Sequence, residues 1–218
     1  MKLLLTSAGI RNASIHAALL DLLCKPIADC TALCIPTALY GHSHASPEFT
    51  WRFISGRQPS TPMAELGWKS VGVLELTALP SLPEAHWMRW VNEADVLLVN
   101  GGDAVYLTHW MRQSGLAKRL ESMPDKVWVG LSAGSMCMTP RVGAAFVEMK
   151  PSITGDDLGL GVVDFAIFPH LDHPGFDENT MAKAEVWAAD IGCHSYAIDD
   201  QTAIKVVDGK VEVVSEGH

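Results

Sequence analysis

The chain has 218 residues, of which 48% are apolar and 19% are charged, and its formal net charge is −9. These proportions are typical of a globular protein with a sizeable core, and they exclude a disordered chain. The acidic balance and the lack of any cluster of Lys and Arg argue against nucleic acid as a main partner. We expect a single domain spanning residues 1–218.

The sequence also argues against a membrane partner. Residues 1–7 form a short apolar stretch that Gly9 and Arg11 soon interrupt, which predicts a core strand and not a signal peptide. No run approaches the ~18 apolar residues of a transmembrane helix. The five cysteines are odd in number, which predicts reduced thiols and a cytoplasmic location rather than a disulfide framework.

Short apolar runs alternate with helical patterns along most of the chain. Strands are predicted at 2–7, 31–36, 70–76, 94–100 and 127–131, and a later apolar strand ends at Pro169. Helices are predicted at about 13–23, 83–94 and 104–112, with a further helix that starts at Ser132. This alternation is typical of a parallel sheet covered by helices on both faces.

Two segments depart from this alternation. Near the C-terminus, β-rich runs at 203–207 and 210–214 flank Asp208-Gly209, a pair that favours a hairpin turn. Residues 40–61, rich in Gly, Ser and Pro, predict a long irregular loop of functional or mobile character. The predicted fold is therefore α/β, a mostly parallel sheet sandwiched by helices and completed by a C-terminal β-hairpin.

The strongest indication of chemistry is Gly130-Leu131-Ser132-Ala133-Gly134, which lies between a predicted strand and a predicted helix. Gly-x-Ser-x-Gly in this position is the pattern of a nucleophile elbow, in which the serine occupies a strained turn and larger flanking residues would collide with backbone. At a helix start, free N–H groups and the helix dipole favour negative charge. We therefore interpret Ser132 as a candidate nucleophile.

A second strand ends in a glycine loop, Asn100-Gly101-Gly102-Asp103, followed by a predicted helix. Taken alone, this is an ordinary tight turn in which Asp103 caps the helix. Beside a serine elbow, the loop is suited to form half of an oxyanion hole, in which the Gly102 N–H pairs with the Ala133 N–H. Gly101 and Asp103 are then candidates for substrate contacts.

A serine nucleophile needs a base, and His170 is the best candidate among the nine histidines. It follows a predicted apolar strand and lies at the edge where the other two turns are expected, with His173 as its local competitor. His42 and His44 suggest a metal, but no third ligand has suitable spacing, so neither a metal nor an organic cofactor is expected.

Three segments together resemble the dipeptidase E and cyanophycinase family of serine peptidases. They are Asn100-Gly101-Gly102-Asp103, Gly130-Leu131-Ser132-Ala133-Gly134 and Phe168-Pro169-His170, in the order and rough spacing of that family. Residues 197–203 also look like the late strand of the family. The resemblance spans residues 3–214 and implies a class I glutamine-amidotransferase-like (flavodoxin-like) fold in which Ser replaces the nucleophilic cysteine.

Carried over by position, the resemblance implies that Ser132 is the nucleophile, His170 the base, and Gly102 and Ala133 the oxyanion donors. Family members place an Asp or Glu some fifteen to eighteen residues after the serine. Glu148 falls in that window and is the expected third member of the triad, with Asp172 and Asp200 as rivals.

The expected function is hydrolysis of short peptides, dipeptides above all, through an acyl-enzyme, by a monomer or homodimer. Family members selective for N-terminal Asp use an Arg after the catalytic His, whereas residues 174–183 contain only Lys183, so a preference for Asp is in doubt. Two alternatives remain open: an esterase or other acyl hydrolase, and a non-catalytic ligand-binding protein on the same fold.

Overall fold

The computed structural model of the protein describes residues 1–43, 46–147 and 152–217. The strands are β1 (Lys2–Thr6), β2 (Thr31–Ile35), β3 (Ser70–Val73), β4 (Val96–Val99), β5 (Val127–Leu131), β6 (Phe165–Phe168), β7 (His194–Ala197), β8 (Thr202–Val207) and β9 (Lys210–Ser215). The helices are α1 (Ala13–Leu23), α2 (Pro47–Ile54), α3 (Glu84–Glu93), α4 (Ala104–Gln113), α5 (Ala133–Met136) and α6 (Met181–Ile191).

Seven of the strands form one sheet in the order β3-β2-β4-β5-β1-β8-β9. The first five of these run parallel, while β8 pairs antiparallel with β1 and β9 pairs antiparallel with β8. The predicted α/β fold with a C-terminal hairpin is therefore confirmed. Strands β6 and β7 form a separate parallel pair, which the sequence analysis did not anticipate.

The central strands of the sheet are buried on both faces, which explains why β4 and β5 are apolar at every position. The edge strands β3 and β9 are largely exposed. One face packs against α1 through side chains such as Ile15 and Leu19. The other face packs against α3 and α4, where Trp87 and Leu107 join the larger core cluster. In the described part of the chain, no helix is long and apolar enough to cross a membrane.

The structure corrects three details of the predicted elements. Residues 40–61 are not a continuous loop, because α2 lies within them and buries Phe53. The helix expected from Ser132 is a single turn of 4 residues, so its dipole is short. A helix also covers 181–191, where α6 packs Trp187 against the small β6–β7 sheet.

Candidate active site

The carboxyl ends of three neighbouring parallel strands bring three polar residues of the site together. Strands β4, β5 and β1 are adjacent in the sheet. They end just before Asn100, Ser132 and Ser7, respectively. Because parallel strands end at the same edge, these residues meet at the position where α/β proteins usually bind ligands.

Ser132 occupies a strained turn, as the elbow pattern predicts. Its backbone angles are φ 49° and ψ −109°, a region that non-glycine residues rarely adopt. The flanking glycines are sterically required: a Cβ on Gly130 would lie 2.4 Å from the carbonyl oxygen of Gly134. A Cβ on Gly134 would lie 2.3 Å from the carbonyl oxygen of Val99. The turn therefore depends on both glycines.

The glycine loop lies directly against this turn. A Cβ on Gly101 would be 3.4 Å from the Cβ of Ser132. Gly102 has φ +135°, and a Cβ on it would lie only 2.2 Å from the carbonyl oxygen of Ala38. The N–H of Ala133, the first residue of α5, has no acceptor within the helix. Among the described residues, neither the Ala133 nor the Gly102 N–H donates to another backbone group. Two free donors thus flank the serine.

His170 is held by a half-buried hydrogen-bond network just after the end of β6. Its Nδ1 lies 2.8 Å from Oδ1 of Asp200. The hydroxyl of Ser7 donates to the same Oδ1 at 2.8 Å and accepts the backbone N–H of His170 at 2.8 Å. Since His170 has φ 55°, these contacts hold its backbone in a conformation that few residues adopt unaided.

The network keeps Asp200 ionised. Burial alone raises the pKa of this carboxyl, but hydrogen bonds from His170 and Ser7 and the nearby His170 charge outweigh burial and hold the pKa below its ordinary value. An ionised Asp200 accepts a hydrogen bond from the N–H at Nδ1 of His170. In the neutral form of the ring, this tautomer leaves Nε2 as the basic nitrogen. His170 can therefore act as a proton acceptor on the side away from Asp200.

The other candidates for the base and the acid take different positions. His173 accepts the Gly175 N–H at its Nδ1 and approaches Oδ2 of Asp200 with its Nε2 at 3.6 Å. Asp172 is exposed, and its N–H donates to the carbonyl of Asn179. Glu148, the expected third triad member, lies outside the described residues, so its role stays a prediction. Of the three acidic candidates, Asp200 is the one seen to contact His170.

Ser132 and His170 line the same cavity, which has a volume of about 280 Å³. Gly101 and Gly102 also line it, and Gln58, from the segment predicted as a loop, contributes to its wall. No hydrogen bond joins Ser132 to His170, both of which belong to the described part of the chain. The cavity thus brings together Ser132, His170 and Gly102, while Ser132 and His170 do not contact each other through a hydrogen bond.

Two further predictions concern Asp103 and a metal. The Asp103 carboxylate accepts the N–H of Tyr106 at 2.8 Å, so it caps α4. This contact gives Asp103 a structural role as a helix cap, and a role in substrate binding stays a prediction.

No group of three or more His, Cys, Asp or Glu side chains suited to a metal occurs within residues 1–43, 46–147 and 152–217. His44 lies outside these ranges.

Sequence reasoning missed Ser7. A signal was present, because Ser7 directly follows the first predicted strand, and polar residues at the carboxyl ends of parallel strands gather at one edge. Ser132 and His170 line the same cavity, although His170 follows a strand of the small sheet and not of the main one.

Comparisons with known proteins agree with this architecture. The family model for peptidase family S51 matches residues 3–214. A protein assigned as a peptidase E from Listeria monocytogenes EGD-e is similar in structure, with TM-score 0.74, 17% identity, and coverage of 99% of this chain and 98% of that one. A peptidase from an acI-B1 Actinobacterium has TM-score 0.71 and 20% identity, with coverage of 99% of this chain and 88% of that one. At these identities the two structures show the shared fold alone. A search of curated proteins finds no match.

Proposed function

The chain belongs to peptidase family S51, and from this premise we propose that it is a serine peptidase that hydrolyses short peptides, dipeptides above all, through an acyl-enzyme. The observation that supports the proposal most is the shared cavity, which is lined by Ser132 in its strained turn and by His170. His170 is in turn hydrogen-bonded to the half-buried carboxylate of Asp200. Nucleophile, base and orienting acid are the three parts that acyl transfer by serine requires.

In the proposed reaction, Ser132 Oγ attacks the carbonyl carbon of the peptide bond while Nε2 of His170 takes its proton. The tetrahedral oxyanion is stabilised by the free N–H groups of Gly102 and Ala133. His170 then donates the proton to the leaving amine, which breaks the C–N bond. A water molecule, deprotonated by His170, releases the acyl group and restores the serine.

We assign the role of orienting acid to Asp200. Its contact with Nδ1 of His170 fixes the tautomer that leaves Nε2 basic, and it stabilises the imidazolium that forms during attack. Because Ser132 and His170 share no hydrogen bond here, the proposal includes a rotation of the serine side chain toward Nε2 when substrate binds. Catalytic hydrogen bonds are commonly longer in the unliganded enzyme than in its complexes.

The test is Ser132→Ala, measured against a panel of dipeptides and by labelling with a fluorophosphonate. We expect the parent protein to cleave dipeptides and to be labelled at Ser132, and the variant to lose both properties while it retains its fold. Ser122→Ala is the matched control, because Ser122 is exposed and its hydroxyl donates only to the Arg119 carbonyl. It should behave like the parent.

The same panel separates the alternatives. An esterase would be labelled at Ser132 and would cleave short acyl esters but no dipeptide. A ligand-binding protein without catalysis would resist the phosphonate and cleave neither class. Either result would contradict the peptidase proposal, whereas dipeptide cleavage that depends on Ser132 supports it.

A further inference from the structure

Two residues that line the cavity each have a buried polar atom with no hydrogen-bond partner among the described residues. Asn100, the first residue of the glycine loop, is only 1% exposed and lines the cavity, and its Nδ2 has no acceptor in the described part of the chain. Gln58 lines the same cavity, and its Oε1 is buried without a donor. Buried polar groups are nearly always paired in folded proteins, so an unpaired donor and an unpaired acceptor at one cavity indicate a ligand that supplies both partners.

The fixed position of Asn100 supports this interpretation. Its backbone N–H donates to the carbonyl of Ile35 at 3.1 Å, which continues the pairing of β4 with β2. The side chain therefore projects from an anchored backbone at the sheet edge, next to Gly101 of the candidate oxyanion loop. A group held in this way is suited to orient a ligand.

Apart from His42 and His170, the described residues that line the cavity carry no ionisable side chain. Among the described residues that line it, none is Lys, Arg, Asp or Glu, and several are apolar, including Leu39, Met136 and Phe146. A ligand side chain with a full charge would lose its hydration here without gaining an opposite charge from these residues. A side chain with a short apolar stem and a neutral polar end fits both the lining and the two unpaired atoms.

Resting on the function proposed above, we propose that the cavity selects substrates whose acyl residue carries a carboxamide, that is Asn or Gln. The NH2 group of Asn100 donates to the carbonyl oxygen of the substrate amide, and the carbonyl of Gln58 accepts from its NH2 group. The side-chain amide is bound and not cleaved, because the bond that breaks is the backbone peptide bond. Asp and Glu, of equal size, offer no donor to Gln58 when ionised.

The first experiment measures binding apart from catalysis. Isothermal titration calorimetry of the Ser132→Ala protein compares Asn-Ala with Asp-Ala and Gln-Ala with Glu-Ala, and Leu-Ala serves as an apolar reference. We expect at least one carboxamide dipeptide to bind tenfold or more tightly than both its acidic isostere and Leu-Ala. Equal binding, no measurable binding of the carboxamide dipeptides, or tighter binding of an acidic dipeptide or of Leu-Ala, would overturn the inference.

Two further variants connect the preference to the named atoms. In the Ser132→Ala background, Asn100→Leu and Gln58→Met should each reduce the preference for carboxamide over acid to threefold or less. Gln58 lies outside the helices and strands, so its variant remains informative if Asn100→Leu fails to fold. Asn92→Leu and Gln113→Met, both at exposed positions away from the cavity, are the matched controls and should keep the full preference.

The binding and cleavage results distinguish the two proposals. If carboxamide dipeptides bind selectively but the parent protein does not cleave them, the inference stands and the peptidase proposal fails. If the parent cleaves dipeptides through Ser132 but prefers Asp-Ala or Leu-Ala, the peptidase proposal stands and the inference is wrong. If selectivity persists in both the Asn100 and the Gln58 variants, the assignment to these two atoms is wrong.

Discussion

Oδ1 of Asp200 lies 2.8 Å from Nδ1 of His170, although 30 residues separate them in the chain. The two are brought together by the small parallel sheet, since His170 follows β6 and Asp200 follows β7. Two backbone hydrogen bonds secure the approach, from Ile198 to Phe168 at 2.9 Å and from Leu171 to Ile198 at 3.1 Å. The proposed base and its acid therefore share one structural unit.

The first prediction concerns Asp200→Asn. An amide at this position no longer fixes the His170 tautomer or stabilises its positive charge, so we expect kcat on dipeptides to fall roughly 10⁴-fold. Steady-state kinetics measure the loss, and circular dichroism verifies the fold. Asp172→Asn is the matched control and should keep its activity, because Asp172 is exposed.

Glu148→Gln completes this experiment. We expect the variant to retain most of the parent activity if Asp200 is the orienting acid. If Glu148→Gln loses activity while Asp200→Asn keeps full activity, Asp200 is not the orienting acid. Glu148 then takes that role, as the family resemblance predicts.

The second prediction concerns stability in acid. The pKa of Asp200 in the folded protein is below its ordinary value, so the unfolded chain binds a proton more readily. The stabilising contribution is therefore complete above the ordinary Asp pKa of about 4 and is lost as the pH falls through the lower, folded-state pKa. Urea unfolding of parent and Asp200→Asn between pH 2 and 7, roughly the range in which carboxyl groups titrate, should show a smaller pH dependence in the variant. Equal dependence would contradict the prediction.

The third prediction concerns Ser7→Ala. The hydroxyl of Ser7 donates to Asp200 and accepts from His170, so its removal leaves buried groups with fewer partners. We expect the free energy of unfolding to fall by about 1–3 kcal/mol. Because one hydrogen bond that lowers the pKa of Asp200 is gone, the acid-dependent loss of stability should also move to higher pH.

Ser81→Ala is the control for Ser7, since the hydroxyl of Ser81 donates only to the carbonyl of Ala78 at the surface. It should change neither stability nor its pH dependence by a measurable amount. A Ser7→Ala protein that loses stability without any shift along the pH axis would show that Ser7 has a packing role alone.

The fourth prediction compares two glycines. In Gly134→Ala the new Cβ meets the carbonyl of Val99, a collision of backbone with side chain in a tightly packed region. In Gly209→Ala the Cβ meets nothing within 4 Å, but the residue has φ +76°, which costs roughly 1–2 kcal/mol for alanine. Chemical unfolding should show the larger loss for Gly134→Ala, and only that variant should lose phosphonate labelling of Ser132.

The sequence was informative where chemistry depends on local backbone. The positions of Ser132 and of Gly102 follow from strand–turn–helix patterns, in which the apolar run and the glycines are neighbours in the chain. The main sheet was predictable for the same reason, since each of its buried strands is a short apolar run. Helix α2 was missed because Gly, Ser and Pro around it favour turns, while Phe53 anchors it only through tertiary packing.

The contact between His170 and Asp200 was not predictable in the same way. It depends on the pairing of β6 with β7, which are separated by a helix and belong to a sheet of their own. Spacing along the chain indicated Glu148, whereas Asp200 was identified only as a rival. Ser7 has no pattern of its own, and its role follows from three segments that meet at one point.

Because the site residues come from two sheets, the conditions that inactivate the protein need not be those that unfold its core. Ser132 is anchored to the large sheet, where its N–H donates to the carbonyl of Thr6, while His170 extends from the small one. Ser7, at the end of β1, connects the two. In the small sheet, β6 is buried and packs into the main core, whereas β7 is largely exposed. Short, exposed strands open more readily than a central sheet. Heat or urea is therefore expected to abolish catalysis at milder conditions than those that melt the core, with amide exchange appearing first in β7.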